Sequence, residues 1–430
     1  MYNYLVSIVF MVTLASAQVN TYSPYSYFGI GNLGYSNSII NNSMAGLGST
    51  LTNSYLLNNL NPASYSYLKM TSFELGTSSQ FTKMTQNNIT QNNFTASLSN
   101  IGLGFPITDE TNKIKKASMA MCISPYSSLG YHINSNTNQL LIGDVNYIYS
   151  GSGGINNVLL GFSFEAAKGF SIGFNMNYLF GSLDRELVIY SEESNVKYRD
   201  INSKIISDFR PEIGLLYSDT INNYKVNFGA VIKPESQMNG RGTTFQHTFI
   251  QQGSFEYFSD TISNTIIDNS YFNFPFEILT GLGVELNTKL FVGLDYNYTK
   301  WSNYNYNGVN NYLVNNNRLI IGGNYVPNSS DIHSYFNRIN YKLGASYSSG
   351  YLDLNQLIAS EQILSPKPLE DFAICFGLGL PINKSFSMIH FSIEYGSRGV
   401  DEMALFKENY CNLYISLTLN EKWFNKRKIQ

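Results

Sequence analysis

Along most of this chain, apolar and polar residues alternate with a period of two, in stretches of about 9–12 residues. Phe170, Ile172, Phe174, Met176, Tyr178 and Phe180 share one face; Ser171, Gly173, Asn175 and Asn177 share the other. Leu290, Val292, Leu294, Tyr296 and Tyr298 oppose Phe291, Gly293, Asp295 and Asn297. Phe372, Ile374, Phe376, Leu378 and Leu380 oppose Ala373, Cys375, Gly377 and Gly379. The last such stretch sets Cys411, Leu413, Ile415, Leu417 and Leu419 against Asn412, Tyr414, Ser416 and Thr418. This is the period of a strand. A membrane-crossing helix needs about 18 or more consecutive apolar residues, and no such run follows the N-terminal segment. Composition removes the remaining classes. Charged residues are 13% of the chain, about half the ~25% of soluble proteins, too few to cover a soluble surface. Aromatics reach 15%, with 33 Tyr and 28 Phe, which excludes a disordered chain. An all-β transmembrane antiparallel barrel remains. Backbone groups in lipid must all be paired, so the strands must close. The alternating stretches number between fourteen and sixteen, with the uncertain ones near residues 242–250 and 317–326. Both termini on one side demand an even count.

The N-terminus reads as a leader. Residues 5–14 are apolar and precede Ala15, Ser16 and Ala17, a small-x-small cleavage pattern that places the cut before Gln18. Residues 1–17 are therefore a signal peptide. Residues 18–68 lack a sustained period and are rich in Tyr, Ser, Asn and Gly, so they read as an irregular segment that precedes the sheet. The barrel occupies residues 69–424, and a basic tail, 425–430, follows. Lys168-Gly169 and Asn287-Thr288 predict tight turns. Long polar stretches at 182–204, 251–270, 302–316 and 350–370 predict extracellular loops, which puts both termini in the periplasm. Pro211 falls on the apolar face of residues 209–217 and predicts a bulge or a late strand start, because proline cannot donate to the ladder.

Two motifs in the aperiodic segment are familiar. Ser43, Met44, Ala45, Gly46, Leu47 and Gly48, followed by Asn61, Pro62 and Ala63, resemble the N-terminal signature of FadL-like outer-membrane transporters. Here Ala45 replaces the family's second glycine, and a basic tail follows the last aromatic residue. The resemblance implies a 14-stranded barrel in the outer membrane of a Gram-negative-type envelope. It also implies that the N-terminal segment is a hatch in the lumen, with Asn61, Pro62 and Ala63 setting its geometry, and that a fatty-acid-like hydrophobic molecule passes through.

Motifs for chemistry are absent. The four histidines, His132, His247, His333 and His390, form no metal-ligand spacing, and the three cysteines form no CxxC pair. Glycines 151, 153 and 154 lack the Lys-Ser/Thr of a phosphate loop and read as a tight barrel turn. No catalytic residue, metal or cofactor is expected, and a net charge of −3 gives no footprint for nucleic acid. The polar face carries both signs, among them Glu74, Arg210, Glu212, Asp295 and Arg318, which suits a salt-bridged lumen better than an ion pore. Arg338, Lys342, His390 and Glu394 are candidate polar contacts in the lumen. Ala373, Cys375, Gly377 and Gly379 leave room beside the wall and are the candidate lumen pocket, either for an apolar ligand or for the hatch. The expected partners are outer-membrane lipid and a small hydrophobic ligand. A reading of a different class is a non-transporting barrel subunit that scaffolds a larger outer-membrane secretion or protein-insertion complex with other envelope proteins.

Overall fold

In lipid, the apolar face of each strand must point outward and the polar face inward, the inverse of a soluble sheet. The computed structural model has this arrangement. It describes residues 21–34, 38–108, 116–139, 143–310, 313–353, 368–382, 386–401 and 405–423. The leader at 1–17 and the tail at 425–430 lie outside them. On strand β12 (Leu290–Thr299), Leu290, Val292, Leu294 and Tyr296 are exposed, while Asp295 and Asn297 are buried. On β17 (Asp371–Pro381), Phe372, Ile374 and Phe376 face out and Ala373 and Cys375 are buried.

Fourteen antiparallel strands close the barrel. In chain order, a two-residue β1 (Asn32–Leu33) lies in the N-terminal segment. The wall begins with β2 (Thr71–Gln86), β3 (Ile89–Pro106), β4 (Ala117–Gln139) and β5 (Gly143–Ala167). It continues with β6 (Phe170–Ser191), β7 (Val196–Ile221) and β8 (Tyr224–Lys233). A hairpin, β9 (Ser236–Gln252) and β10 (Phe255–Phe274), interrupts it. The wall resumes with β11 (Glu277–Leu286) and β12. After the small β13 (Asn305–Tyr306) and β14 (Val309–Asn310), it proceeds through β15 (Asn316–Tyr325), β16 (Asn340–Ser348), β17 and β18 (Met388–Arg398). The last strand, β19 (Lys407–Glu421), pairs along its length with β2 and closes the ring. The fourteen strands are those that the resemblance implies. Of the two uncertain stretches, 317–326 contributes the wall strand β15, and 242–250 lies in the β9–β10 hairpin.

The barrel has a near end, where β2 starts and β19 stops, and a far end. Two near-end turns are tight: Asn287 and Thr288 both take left-handed φ (49° and 56°) and Gly169 takes 75°, as short hairpins require. At the far end, the polar stretches differ from expectation. Residues 182–191 and 196–204 are not loops; they continue β6 and β7, paired with each other from Leu183↔Lys204 to Ile189↔Tyr198. Residues 251–270 lie mostly in the β9–β10 hairpin, which pairs with the outer half of β7 from Val196↔Ile250 to Ile206↔Gly240. A polar strand needs no apolar face when water bathes both sides and its neighbours complete the ladder. Of residues 350–370, 354–367 lie outside the described residues.

The glycines at 151, 153 and 154 are not in a turn either. They sit within β5, where the ring of Tyr131 lies across Gly151 and neighbouring backbone crowds Gly153 and Gly154. Pro211 lies inside β7, in register with Met176 on the β6 side. On its other side, the ladder is interrupted between Ile206, paired to β9, and Ile213, paired to β8. The missing N–H therefore falls where no partner strand asks for one.

Residues 21–68 run against the inner wall. They contain a 3-10 turn Pro24–Tyr27, a helical turn Ile39–Asn42 and a 3-10 turn Pro62–Tyr67. One apolar cluster packs at the far mouth around Tyr25, Ile30, Phe272, Phe274, Trp301 and Tyr304. A second surrounds Met44, Leu47 and Leu51, and a third holds Leu57, Tyr65 and Leu68.

Candidate functional site

The junction of the N-terminal segment with the inner wall gathers most of the residues singled out in the sequence. Asn61 caps the Pro62–Tyr67 turn: its side-chain oxygen accepts from the Ala63 amide at 3.0 Å. Its Nδ2 donates to Ser49 O at 2.6 Å and to Leu215 O of β7 at 3.2 Å. Pro62 supplies the fixed φ of the first helical position. Gly173 and Gly214 of the wall face this motif, and a Cβ on either would overlap Asn61, Pro62 or Ala63. Ser163 donates to Ala63 O at 3.1 Å. Tyr65 donates to Asn175 Oδ1 at 3.1 Å, and burial holds its hydroxyl well above the usual tyrosine range, so it stays protonated as a donor.

On the opposite wall, charged groups hold the segment by its backbone. Asp295 of β12 accepts from the amides of Gly48 (2.9 Å) and Ser49 (2.8 Å) and from the Ser49 hydroxyl. Glu74 of β2 accepts from the Ser38 hydroxyl (3.2 Å) and the Ile39 amide (3.4 Å) at the start of the helical turn. Arg318 of β15 donates to Ala45 O at 2.9 Å. Asn227 of β8 donates to Thr50 O at 3.0 Å. At the far end, Ser23 donates to Glu408 at 2.6 Å, and Arg398 pairs with the same carboxylate. Sequence reading found Asp295 and Glu74 as lumen charges but not as acceptors for backbone amides, because that role depends on the path of the aperiodic segment. It missed Glu408 and Arg398; their only signal is a facing pair of opposite charges on β18 and β19.

Of the four small residues of β17, Cys375 and Gly377 lie beneath this segment. A Cβ on Gly377 would overlap Ser43, Cys375 packs with Met44 and Ala45, and Gly379 abuts His390 and Asn340. None of the four borders the three cavities described below. Lys342 and His390 are buried close to Gly377 and Gly379 in register, and among the described residues neither Lys342 Nζ nor either ring nitrogen of His390 has a hydrogen-bond partner. Glu394 accepts from the Tyr414 hydroxyl at 2.7 Å. Arg338 stands apart: it ends a 3-10 turn, Phe336–Arg338, at the near end instead of lying on the polar face of β16, which starts only at Asn340.

The wall has an interruption. β3 pairs with β4 only from Ile101↔Ile123 to Pro106↔Ser118, so their outer halves diverge. β1 pairs with β4 at Ser127 and Ser128, inside this divergence. A cavity of about 230 Å³ lies behind it. Thr95, Ser97, Ser99, Ser127 and Ser128 line its rim, and Glu394, Arg398 and Asn412 lie deeper. A second cavity, about 70 Å³, is bordered by Lys233, Glu277 and Arg318 among apolar groups. A third, about 370 Å³, opens at the far mouth. The first route from the wall is thus lined by hydroxyls, amides and charges, a setting that favours water over an apolar guest.

A family model described as BamG matches residues 2–430. Among solved structures, the chain is similar to the Ralstonia pickettii toluene transporter TbuX (TM-score 0.57, 13% identity, 89% of this chain and 97% of that one). It is similar to the Pseudomonas putida toluene transporter TodX (0.56, 15%, 89% and 98%). A Pseudomonas aeruginosa FadL homologue matches at 0.53, with 11% identity over 87% of this chain and 96% of that one. No curated protein matches by sequence. At these identities the structural likeness is one of fold: the barrel is of the FadL type.

Proposed function

The chain belongs to the BamG family, and from that premise we propose that it is a stoppered outer-membrane barrel serving as a subunit of a larger secretion or protein-insertion assembly. The observation that carries this reading is the fastening of the N-terminal segment. Asp295, Glu74, Arg318 and Asn227 grip its backbone from four strands, and Asn61 grips the wall in return. What remains open behind the β3–β4 divergence is polar. An apolar molecule entering there would strip water from Glu394 and Arg398 with nothing in exchange. In this reading the near end, where β2 starts and β19 stops, faces the periplasm, and the long strands lie on the extracellular side. There the β9–β10 hairpin presents Phe255, Tyr257, Phe258, Ile262 and Ile266 to solvent. β10 pairs with β9, and among the described residues its other edge meets only β13, at Phe272 and Asn273. Such an edge is suited to another envelope protein.

The second reading is passage of a small, fatty-acid-like hydrophobic molecule, with the N-terminal segment as the moving hatch. It draws on the FadL-type fold and on the β3–β4 divergence as a lateral exit. Purification from native membranes in mild detergent separates the two. The first reading predicts stoichiometric co-purifying envelope proteins and no binding of a fluorescent fatty acid by the isolated barrel. A solitary barrel that binds the fatty acid supports the second.

A further inference from the structure

At the far mouth, the inner faces of β4 to β7 carry a second constellation, which meets the N-terminal segment at Tyr27 and Gly29. Cross-strand register aligns Tyr149, Leu187 and Asp200 in one row and Gly151, Arg185 and Asn202 in the next. All of these but Gly151, together with Tyr27 from the N-terminal segment, border the cavity of about 370 Å³ at the far mouth. That volume lies in the lower part of the range of small-molecule sites, ~300–1,000 Å³.

Its apolar wall is a corner of tyrosines. Tyr27 stands edge-on to Tyr131 (ring centroids 5.3 Å, 72°) and to Tyr149 (6.2 Å, 89°). Gly151 lets Tyr131 lie flat, since a Cβ there would overlap the ring. Arg185 fixes the corner by donating to Tyr27 O (3.1 Å) and Gly29 O (2.8 Å).

Its polar groups are incompletely used. Tyr131 is only 4% exposed, yet its hydroxyl has no partner among the described residues. Asp200 accepts from Gln246 at 3.0 Å through one oxygen; the other is buried and has no partner among the described residues. Buried polar atoms left this way call for an explanation, and a ligand supplies one. The charges narrow its class. Lys204 and Arg185 oppose a cation, Asp200 and Glu186 oppose an anion, and a wholly apolar guest would desolvate all four. A neutral molecule with an apolar face for the tyrosines and hydroxyls for Asp200 and Tyr131 meets every condition.

We propose that this mouth cavity binds a small neutral carbohydrate, one or two sugar rings in size. The ring's C–H face would lie on the tyrosine corner. One sugar hydroxyl would donate to Asp200, and another would pair with the Tyr131 hydroxyl. The site does not depend on whether the lumen conducts.

The test uses the full-length protein in a sugar-free detergent such as a dimethylamine oxide. Saturation-transfer NMR is run with D-glucose, D-galactose, D-mannose, N-acetyl-D-glucosamine and maltose. At least one should receive saturation from the protein. Asp200→Asn and Tyr131→Phe should each weaken that binding roughly tenfold. Tyr149→Ala should weaken it as well, with heat-modifiable gel mobility showing that each barrel is folded. Absence of transfer to all five sugars from folded protein overturns the proposal. So does binding that none of the three substitutions changes.

Discussion

The two sides of the barrel wall differ in length. β11, β12 and β15 to β18 have 9–11 residues, enough to cross a bilayer and turn. β4 to β7 have 22–26 residues, and the β9–β10 hairpin extends the same side. Within the bilayer the two sides obey one rule, apolar out and polar in. Above it the rule lapses. Most of β10 is exposed on both faces, with Phe255, Tyr257 and Phe258 beside Glu256 and Asp260. Alternation therefore marks where a strand separates lipid from lumen. Where water reaches both faces, ladder hydrogen bonds and exposed side-chain pairs such as Arg199–Glu256 hold the strand.

The largest expected effect tests the short side. Asp295→Ala removes one carboxylate that serves two amides and a hydroxyl, all buried, and should cost about 3–4 kcal/mol. Amide exchange at Gly48 and Ser49 should accelerate strongly, with a lower denaturant midpoint.

The next effect compares the two solvents directly. Phe376 on β17 and Ile266 on β10 are about equally exposed, 48% and 52%. Arginine at a mid-bilayer lipid-facing site costs ~2–4 kcal/mol, whereas a water-facing site tolerates it within about 0.5 kcal/mol. Phe376→Arg should impair refolding into lipid vesicles, and Ile266→Arg should not. Equal impairment would place β10 in lipid.

A smaller effect tests the long side's hold on the stopper. Asn61→Ala loses the cap of the Pro62–Tyr67 turn and the bond to Leu215 O, about 1–2 kcal/mol. Exchange should rise at Ala63 and Ser64 while Gly48 stays protected; equal loosening at both would mean that the two anchorages act as one.

The smallest effect concerns pH on the hairpin. Arg199 donates to both oxygens of Glu256 (2.7 and 3.0 Å) and holds its carboxyl below the ordinary range. A depressed carboxylate contributes fully above its unfolded value, near 4.5, and loses that contribution as pH falls through the lower folded value. Being exposed, the pair is worth ~0.5 kcal/mol or less. Exchange of hairpin amides, corrected for intrinsic rates, should rise slightly on acidification, and Glu256→Gln should remove that rise.

What could be read in advance follows from the same comparison. Phe372, Ile374 and Phe376 against Ala373, Cys375 and Gly377 declare their faces because lipid enforces the contrast. Asn287-Thr288 declares a turn because the hairpin demands left-handed φ. Residues 182–204 looked like a loop because polar strands in water carry no such contrast. The small side chains of β17 announced room beside the wall but not its occupant; in the structure Ser43, Met44 and Ala45 lie there. Asp295 showed as a lumen charge, yet its task of holding Gly48 and Ser49 depends on a partner 246 residues away in the chain.

The central claim is that a stoppered barrel serves an assembly. Its most direct test is the mass of the native particle: extraction in mild detergent, sizing, and mass spectrometry of every component. The account predicts a particle well above the 48.4 kDa of the full chain, with fixed stoichiometry of other envelope proteins. It also predicts that removing the β9–β10 hairpin releases a folded barrel from that particle. A native particle of barrel mass alone, carrying a bound hydrophobic molecule, would contradict it.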